Sequence, residues 1–411
     1  MAIGLVLVMI AHLALFVWSV TAARQGLREL NSLSHGRSLA SSLSSSSYSL
    51  CANMVTPWGY ACEEHKVTTA DGYILGLQRI PASHSGQQAS KPPVLLQHGL
   101  IMDSVTWVYN QPSQSLAFIL ADNGYDVWMA NSRGTNSSSG HTTLTTSDAA
   151  YWEWSWDELV SYDLTATVQY VNGVTGQNLH YAAHSLGTLM ALAAFSQNQL
   201  VNSVRSAVLL SPIAYLNNLP SFLTRVAAET FLADQIYWLG LHEFSPKGPA
   251  VGTLLNNLCS LSSALCGNLM NAFTGQNCCL NSSRSSVFFR YEPQPTSTKN
   301  MIHLSQMIRT GKITKFDYGQ DGNMNHYAQT TPPAYNMSSI PTNIPLYLSY
   351  GGKDELSDVK DVQQLLAKLQ NHNSNDLVVQ YVAQYAHADF VFGVDAYQVV
   401  YKPVLAFLQR N

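Results

Sequence analysis

The sequence contains a serine placed so that it can act as a nucleophile. Ser185 lies in the segment LHYAAHSLGT, residues 179–188, between a β-prone run and a helical run. A strand, a tight turn and an immediate helix form a nucleophile elbow, in which residues two positions from the serine must be small. Gly187 meets this requirement, and Ala183 stands where glycine is more common. We therefore predict that Ser185 is a nucleophile that attacks ester carbonyls. One alternative is that Ser185 only caps the helix, and another is that the nucleophile is Ser138, which matches half of the pattern.

An ester-hydrolysing serine also needs donors at the position where negative charge develops on the carbonyl oxygen. The backbone N–H of Leu186 is the first predicted donor, because it follows the nucleophile at the start of the helix. The segment VLLQHGL, residues 94–100, is a β-prone run that enters a His-Gly turn. We predict that the N–H of Leu100 is the second donor, and we interpret His98 as a residue that shapes this loop.

A serine hydroxyl is a weak nucleophile unless an imidazole accepts its proton and a carboxylate orients that imidazole. After a nucleophile elbow, the acid and then the histidine follow in the chain. Asp354 comes directly after a β-prone run, and His387 follows the last such run, so we predict that they are the acid and the base. Asp358 and His372 are the competing candidates; we interpret Asp358 as a helix N-cap and His372 as an exposed loop residue.

Short apolar runs alternate with amphipathic runs of helical length through much of the chain. This alternation predicts an α/β fold with a mostly parallel central sheet between two layers of helices. Asp71-Gly72, between two β-prone runs, predicts a hairpin ahead of this sheet. The predicted strands are Val94–Gln97, Tyr125–Ala130, Leu179–Ala183, Ala207–Leu210, Pro345–Tyr350 and Leu377–Val382, and the predicted helices are Ser115–Asn123, Trp156–Val171 and Leu186–Gln197.

The alternation stops between about residues 213 and 340, and this stretch is predicted to be a mainly helical insertion that forms a cap or lid. Its apolar run Phe222–Leu241 either lines a pocket, faces a lipid surface or packs inside the cap. The aromatic run YWEWSW, residues 151–156, is interpreted as core packing. The predicted boundaries are 1–22 for a signal peptide, 23–50 for a Ser-rich linker or pro-segment, 51–212 and 341–411 for the two parts of the core, and 213–340 for the cap.

The N-terminal residues predict export. Residues 4–20 are uncharged and apolar, interrupted only by His12 and Ser19, and precede three small residues, 21–23, which is typical of a signal peptide. A single membrane anchor is the alternative. Three sequons, at Asn136, Asn281 and Asn336, predict glycosylation sites in such a chain.

The six cysteines favour disulfides over a zinc site, because their number is even in a chain that is predicted to be exported. Neither group has the paired spacing of zinc ligands. Spacing alone does not define the pairing. The cysteines form one local set, Cys51 and Cys62, and a second set, Cys259, Cys266, Cys278 and Cys279.

The overall composition excludes some partners. Hydrophobic residues make up 46% of the chain, and 21 basic residues nearly balance 25 acidic ones. Such a chain can bury a large core and has no surface that attracts polyanions. Nucleic acid is therefore not expected as a partner, and no cofactor or metal ion is expected either.

Many motifs, in one order from about Val55 to the C terminus, resemble the acid lipase family, which includes gastric and lysosomal lipases and plant triacylglycerol lipases. The motifs are TPWGY (56–60), LQHGL (96–100), DVW (126–128), NSRG (131–134), WDEL (156–159), YDL (162–164), HSLGT (184–188), STKNM (297–301), GGKD (351–354) and HADF (387–390).

The resemblance implies an α/β-hydrolase fold with Ser185, Asp354 and His387 as the triad and the N–H groups of Leu100 and Leu186 as oxyanion donors. It implies hydrolysis of triacylglycerols or sterol esters at a lipid–water interface, under a cap that includes a movable lid. With the predicted signal peptide, it favours the secretory pathway, either outside the cell or in a vacuolar or lysosomal lumen. A short-chain carboxylesterase and a non-catalytic lipid-binding relative are the alternatives.

Overall fold

The computed structural model describes residues 49–246 and 269–411. The predicted signal peptide, nearly all of the Ser-rich segment, Cys259 and Cys266 lie outside the described residues. Within the described part of the chain, no helix is long and apolar enough to cross a membrane. The choice between a signal peptide and a membrane anchor concerns residues 4–20, which are outside this part.

The central sheet contains six parallel strands that are extended at one edge by antiparallel strands. Its order is β1-β2-β4-β3-β6-β7-β10-β11, with β5 paired to β2, and all neighbours from β4 to β11 in this order are parallel. β8 and β9 form a separate two-stranded sheet. The strands are β1 Glu63–Thr68, β2 Tyr73–Ile80, β3 Lys91–Gln97, β4 Tyr125–Ala130, β5 Gly140–His141, β6 Leu179–His184, β7 Val204–Leu210, β8 Glu243–Phe244, β9 Thr296–Ser297, β10 Leu346–Gly351 and β11 Leu377–Val382.

Helices cover both faces of the sheet, so its central strands are almost completely buried. Every residue of β4, β6 and β10 is buried, as expected for a parallel sheet between two helical layers. The predicted α/β architecture and all six predicted strands are present. The α-helices are α1 Leu116–Asp122, α2 Trp156–Glu158, α3 Thr165–Thr175, α4 Leu186–Ser196, α5 Phe222–Glu229, α6 Leu232–Trp238, α7 Leu269–Thr274, α8 Ser285–Tyr291, α9 Thr298–Thr310, α10 Gly319–Tyr327, α11 Val359–Lys368, α12 Asp389–Phe392 and α13 Lys402–Arg410.

The predicted hairpin joins β1 to β2. These strands pair antiparallel from Glu63 opposite Arg79 to Thr68 opposite Ile74. Gly72 has φ 95°, in the left-handed region that favours glycine in tight turns. The hairpin prediction at Asp71-Gly72 is therefore confirmed.

The aromatic run at 151–156 packs in the core, as predicted. Tyr151, Trp152, Trp154 and Trp156 are all buried. The ring of Trp156 stacks on His303 with a centroid separation of 4.4 Å. This contact joins the core to helix α9.

The chain between β7 and β10 contains helices α5–α10 and the small sheet of β8 and β9, within the described residues. The predicted apolar run Phe222–Leu241 forms two helices, because Phe231 adopts φ 53° and interrupts the helical path. The insertion also bonds to the core: the hydroxyl of Tyr335 donates to Asp157 over 2.6 Å.

Two disulfides lie in the described part of the chain. One joins Cys51 to Cys62, and the other joins the adjacent residues Cys278 and Cys279. The prediction of disulfides is confirmed for these four cysteines.

Candidate active site

Ser185 lies on a strained turn between β6 and α4. Its backbone has φ 56° and ψ −124°, a conformation that residues other than glycine rarely adopt and that persists mainly at functional turns. The Ser185 amide donates to the carbonyl of Leu210 on β7 over 3.1 Å. The hydroxyl of Thr188 donates to the Ser185 carbonyl over 2.6 Å. The strand, turn and helix predicted around Ser185 are therefore present.

The two small residues of the elbow differ in how strictly packing requires them. A Cβ atom on Gly187 would lie 2.8 Å from the carbonyl oxygen of Gln97 and 2.9 Å from that of His98. Ala183 is completely buried and pairs with Gln97 in β3 and with Leu209 in β7. Its methyl group is accommodated in this regular part of the sheet, so the departure from glycine does not prevent the elbow from forming.

The loop after β3 passes directly beside Ser185. A Cβ atom on Gly99 would lie 2.8 Å from the Cβ and 3.3 Å from the Oγ of Ser185, so the close approach requires glycine. The Nε2 atom of His98 accepts the amide of Ser132 over 3.0 Å, and its Nδ1 donates to the Gly99 carbonyl over 2.8 Å. Burial lowers the pKa of His98 to about 4, which keeps this ring neutral. Leu100, the predicted oxyanion donor, follows Gly99 on the same loop.

Two glycines allow the end of β10 to approach the segment that leads to His387. A Cβ atom on Gly352 would lie 2.5 Å from the carbonyl oxygen of Ala383, and one on Gly351 would overlap the carbonyl oxygen of Tyr385. Asp354, two residues further on, is only 3% exposed. The Gly-Gly turn thus brings a buried carboxylate next to the predicted base.

The carboxylate of Asp354 is oriented by hydrogen bonds on both sides. Its Oδ1 atom accepts the amides of Leu356 and Ser357 over 2.9 and 2.7 Å, and both oxygens lie 3.0 Å from Nδ1 of His387. Burial raises the pKa of Asp354, but the neighbouring imidazole charge and these hydrogen bonds outweigh burial and lower it. The ionised carboxylate keeps a proton on Nδ1 of His387, which leaves Nε2 as the basic atom.

The Nε2 atom of His387 is buried and has no hydrogen-bond partner among the described residues, so it does not bond to Ser185 in this conformation. Bonds of this type are often long in unliganded enzymes and shorten in the complex. His184 joins the two residues: it precedes Ser185 in the chain, and its Nε2 donates to the His387 carbonyl over 2.9 Å. The rings of His184 and His387 are 4.6 Å apart.

The sequence signals did not reveal the residues that hold the main chain of His387. Besides His184, the carbonyl of Thr274 in the insertion accepts the His387 amide over 3.0 Å. The side chain of Asn277 accepts the Ala388 amide over 3.1 Å. Burial and then the charge of His387 lower the pKa of His184 to about 3, so its ring is a neutral donor. The adjacency of His184 to Ser185 was the only local signal for these contacts.

The competing candidates have structural roles. The carboxylate of Asp358 caps α11 by accepting the amide of Lys360 over 2.8 Å, as predicted. The prediction that His372 is exposed was wrong: the residue is buried, and its Nε2 bonds to the carbonyl of Ile344 over 2.7 Å, because the turn after α11 folds back towards β10. Ser138 is fully buried, and its hydroxyl is used in two hydrogen bonds with the backbone.

The strand order of the sheet and the strained serine turn after its central strand define an α/β-hydrolase. Consistent with this class, a family model described as alpha/beta hydrolase fold matches residues 92–393. A second model, described as partial alpha/beta-hydrolase lipase region, matches residues 51–111. The monoglyceride lipase of Saccharomyces cerevisiae has a similar fold, with a TM-score of 0.52 at 15% identity over 84% of this chain and 94% of that one.

Two curated relatives narrow the class to a family. Triacylglycerol lipase 2 of Arabidopsis thaliana is 49% identical over 367 residues, which cover 88% of each chain. Gastric triacylglycerol lipase of Rattus norvegicus is 37% identical over 371 residues, which cover 88% of this chain and 91% of that one. The chain belongs to the acid lipase family, as its motifs predicted, and it is a lipid ester hydrolase.

Proposed function

We propose that the protein hydrolyses neutral lipid esters, triacylglycerols or sterol esters, through an acyl-enzyme intermediate on Ser185. His387 accepts the serine proton at Nε2 while Asp354 stabilises the imidazolium, and a water molecule then releases the fatty acid. The observation that carries this proposal is the buried contact between Asp354 and Nδ1 of His387, at 3.0 Å, beside the strained turn of Ser185.

The N–H groups of Leu100 and Leu186 are proposed to stabilise the oxyanion. Leu186 is the first residue of α4, and the first N–H groups of a helix have no acceptor within the helix. Leu100 belongs to the loop whose Gly99 touches Ser185. Both N–H groups therefore belong to segments that adjoin Ser185, which supports their assignment as the donors to the oxyanion.

The insertion is proposed to act as a cap that contacts the lipid surface. The Trp238 side chain is 84% exposed at the end of α6, and Phe231, just before this helix, is 49% exposed. Large apolar side chains at this level of exposure favour a lipid–water interface, where tryptophan combines an apolar ring with one polar N–H group. The triacylglycerol lipases among the relatives support the same class of substrate.

The relatives and the predicted signal peptide support a place in the secretory pathway, either outside the cell or in a vacuolar or lysosomal lumen. The predicted glycosylation sites are compatible with this proposal, because Asn136 and Asn336 are exposed and Asn281 is partly exposed. Peptide mapping of the exported protein, with and without removal of N-glycans, tests both the leader cleavage and the three sites.

Labelling with a fluorophosphonate tests the nucleophile directly. We expect stoichiometric modification at Ser185 and none in Ser185→Ala, since these reagents capture an activated serine. Lipid binding without any labelling would contradict the proposal and favour a non-catalytic binding protein. A panel of emulsified triolein, a sterol oleate and a soluble butyrate ester then tests the substrate, and cleavage of the butyrate ester alone would indicate a short-chain carboxylesterase.

A further inference from the structure

The insertion carries an accessible disulfide next to the loop of His387. Cys278 and Cys279 are bonded to each other, Cys278 is exposed, and Cys279 is partly exposed. A disulfide between neighbouring residues closes a small ring that includes the peptide bond between them. The ring restricts the backbone torsion angles of both residues and so fixes the direction of their N–H groups.

Both N–H groups point to one buried carboxylate. Asp389, two residues after His387, is fully buried. Its Oδ2 atom accepts the amide of Cys278 over 3.1 Å, and its Oδ1 atom accepts the amide of Cys279 over 3.0 Å. Successive backbone N–H groups that converge in this way form a concave anion site, and charge-assisted bonds to it are strong.

The same carboxylate also holds the loop of the predicted base. Oδ2 of Asp389 accepts the amide of Ala386 over 2.8 Å, directly before His387. A further bond joins the disulfide to the chain just after α12, because the amide of Val394 donates to the carbonyl of Cys279 over 2.9 Å. Asp389 therefore connects the peptide of the disulfide to the residues on both sides of His387.

We propose that the Cys278–Cys279 disulfide is a thiol-exchange site, through which a dithiol reductant lowers the turnover of the enzyme by releasing Asp389 and the loop of His387. The effect on turnover rests on the proposed function of His387, whereas the exchange site itself does not. A dithiol is the chemical class of reactant that this site takes.

The thiol–disulfide exchange takes place in two steps. A thiolate of the reductant attacks the sulfur of Cys278, the more exposed of the two residues. The S–S bond breaks, and its electron pair goes to the sulfur of Cys279, which takes up a proton. The second thiolate of the reductant then attacks the mixed disulfide and expels the sulfur of Cys278, which also takes up a proton. The protein disulfide is reduced to two thiols, and the dithiol is oxidised to a cyclic disulfide.

Opening the ring frees the torsion angles of Cys278 and Cys279, so their N–H groups no longer converge on Asp389. The loop around His387 then loses part of its support, and a shift of about 1 Å in a catalytic group lowers turnover about 100-fold. We expect kcat on a soluble butyrate ester to fall at least tenfold, with a much smaller change in KM. Reoxidation restores kcat, which distinguishes the switch from unfolding.

The experiment treats the full chain with increasing dithiothreitol, traps thiols with N-ethylmaleimide, maps every cysteine by mass spectrometry, and measures kcat in parallel. We expect Cys278 and Cys279 to be unlabelled before treatment and labelled in step with the loss of kcat. The proposal would be overturned if Cys278 and Cys279 were labelled before treatment or stayed unlabelled after it. It would also be overturned if kcat did not change, or if the loss of kcat followed the labelling of other cysteines. Fluorophosphonate labelling of untreated protein reports separately on the proposed function.

Two variants, with a third as a control, test the route through Asp389. Cys278→Ser/Cys279→Ser is expected to have low kcat and no response to the dithiol, while Cys259→Ser/Cys266→Ser retains the response of the native chain. In Asp389→Asn, the loop is already released, so the dithiol is expected to lower kcat less than threefold. A full response in Asp389→Asn would show that the coupling does not pass through this carboxylate, and that result would refute the proposed route.

Discussion

Replacing Asp354 with asparagine tests the proposed chemistry, because the surrounding hydrogen bonds determine which way the new amide faces. The Oδ1 atom of Asp354 accepts the amides of Leu356 and Ser357. The oxygen of the asparagine amide takes this position, since an NH2 group there would face two N–H donors. The NH2 group then points to Nδ1 of His387 and donates to it, and the imidazole must carry its own proton on Nε2.

An imidazole with its proton on Nε2 cannot accept the proton of Ser185. The equivalent change in serine proteases, where the wrong tautomer forms, lowers kcat about 10⁴-fold, which corresponds to about 5.5 kcal/mol of transition-state stabilisation. We expect a loss of this order for Asp354→Asn. KM for a soluble ester should change by less than about threefold, because the lost interaction acts on the transition state.

The assay is kcat for a butyrate ester between about pH 5 and pH 8, with the fluorophosphonate labelling rate and the melting temperature measured on the same samples. Asp358→Asn is the matched control, since Asp358 caps α11 and lies only four residues away; its kcat should stay within about twofold of the native value. This mechanism would be refuted if Asp354→Asn had a native-like melting temperature and a kcat within tenfold of the native value. An equal loss in Asp358→Asn would refute the assignment of the acid.

Substitutions at three other residues test separate parts of the structure. His184→Gln retains an N–H group that can donate to the His387 carbonyl, so kcat should fall less than about threefold. His184→Leu has no such group, so kcat should fall more than about tenfold. Equal losses in the two variants would contradict a positioning role for His184. Trp238→Ser should lower hydrolysis of emulsified triolein about tenfold without affecting a soluble butyrate ester, and unchanged adsorption to the emulsion would refute lipid contact at this residue. Burial lowers the pKa of His180 to about 4, so between about pH 6.5 and pH 4 the unfolded chain binds one more proton than the folded chain. The contribution of His180 to the free energy of unfolding is therefore complete above about pH 6.5 and declines by about 1.4 kcal/mol per pH unit towards pH 4. Urea unfolding at several pH values should show that His180→Asn lacks this part of the slope, and an unchanged slope would contradict the burial argument.

The sheet and the candidate triad were predictable because their signals are local. Each parallel strand is a short apolar run, since both of its faces are covered. The serine turn is marked by a strand, small residues and a helix within ten positions. β10 ends at Gly351, the first residue of a Gly-Gly pair that lies just before Asp354 in the chain. Steric limits at Gly187 and Gly352 show why these residue types appear at these positions.

The remaining features depend on contacts between distant parts of the chain, which leave no local pattern. His372 looked like a loop residue because its neighbours are polar, yet it is buried against the carbonyl of Ile344. The break at Phe231 follows from a single left-handed residue inside an apolar run. The bond from His387 to Thr274 joins residues that are separated by more than a hundred positions, and nothing near either residue indicates it.

These distant contacts restrict how the proposed cap could move. The amide of His387 is bound by Thr274, Ala388 by Asn277, and Asp389 by the disulfide peptide, so residues 274–280 form part of the support for the proposed base. A movement that admitted substrate by lifting this segment would break these bonds and displace the imidazole from Asp354. An opening of the proposed cap that preserves catalysis would therefore leave residues 274–280 in place and move another part of the insertion.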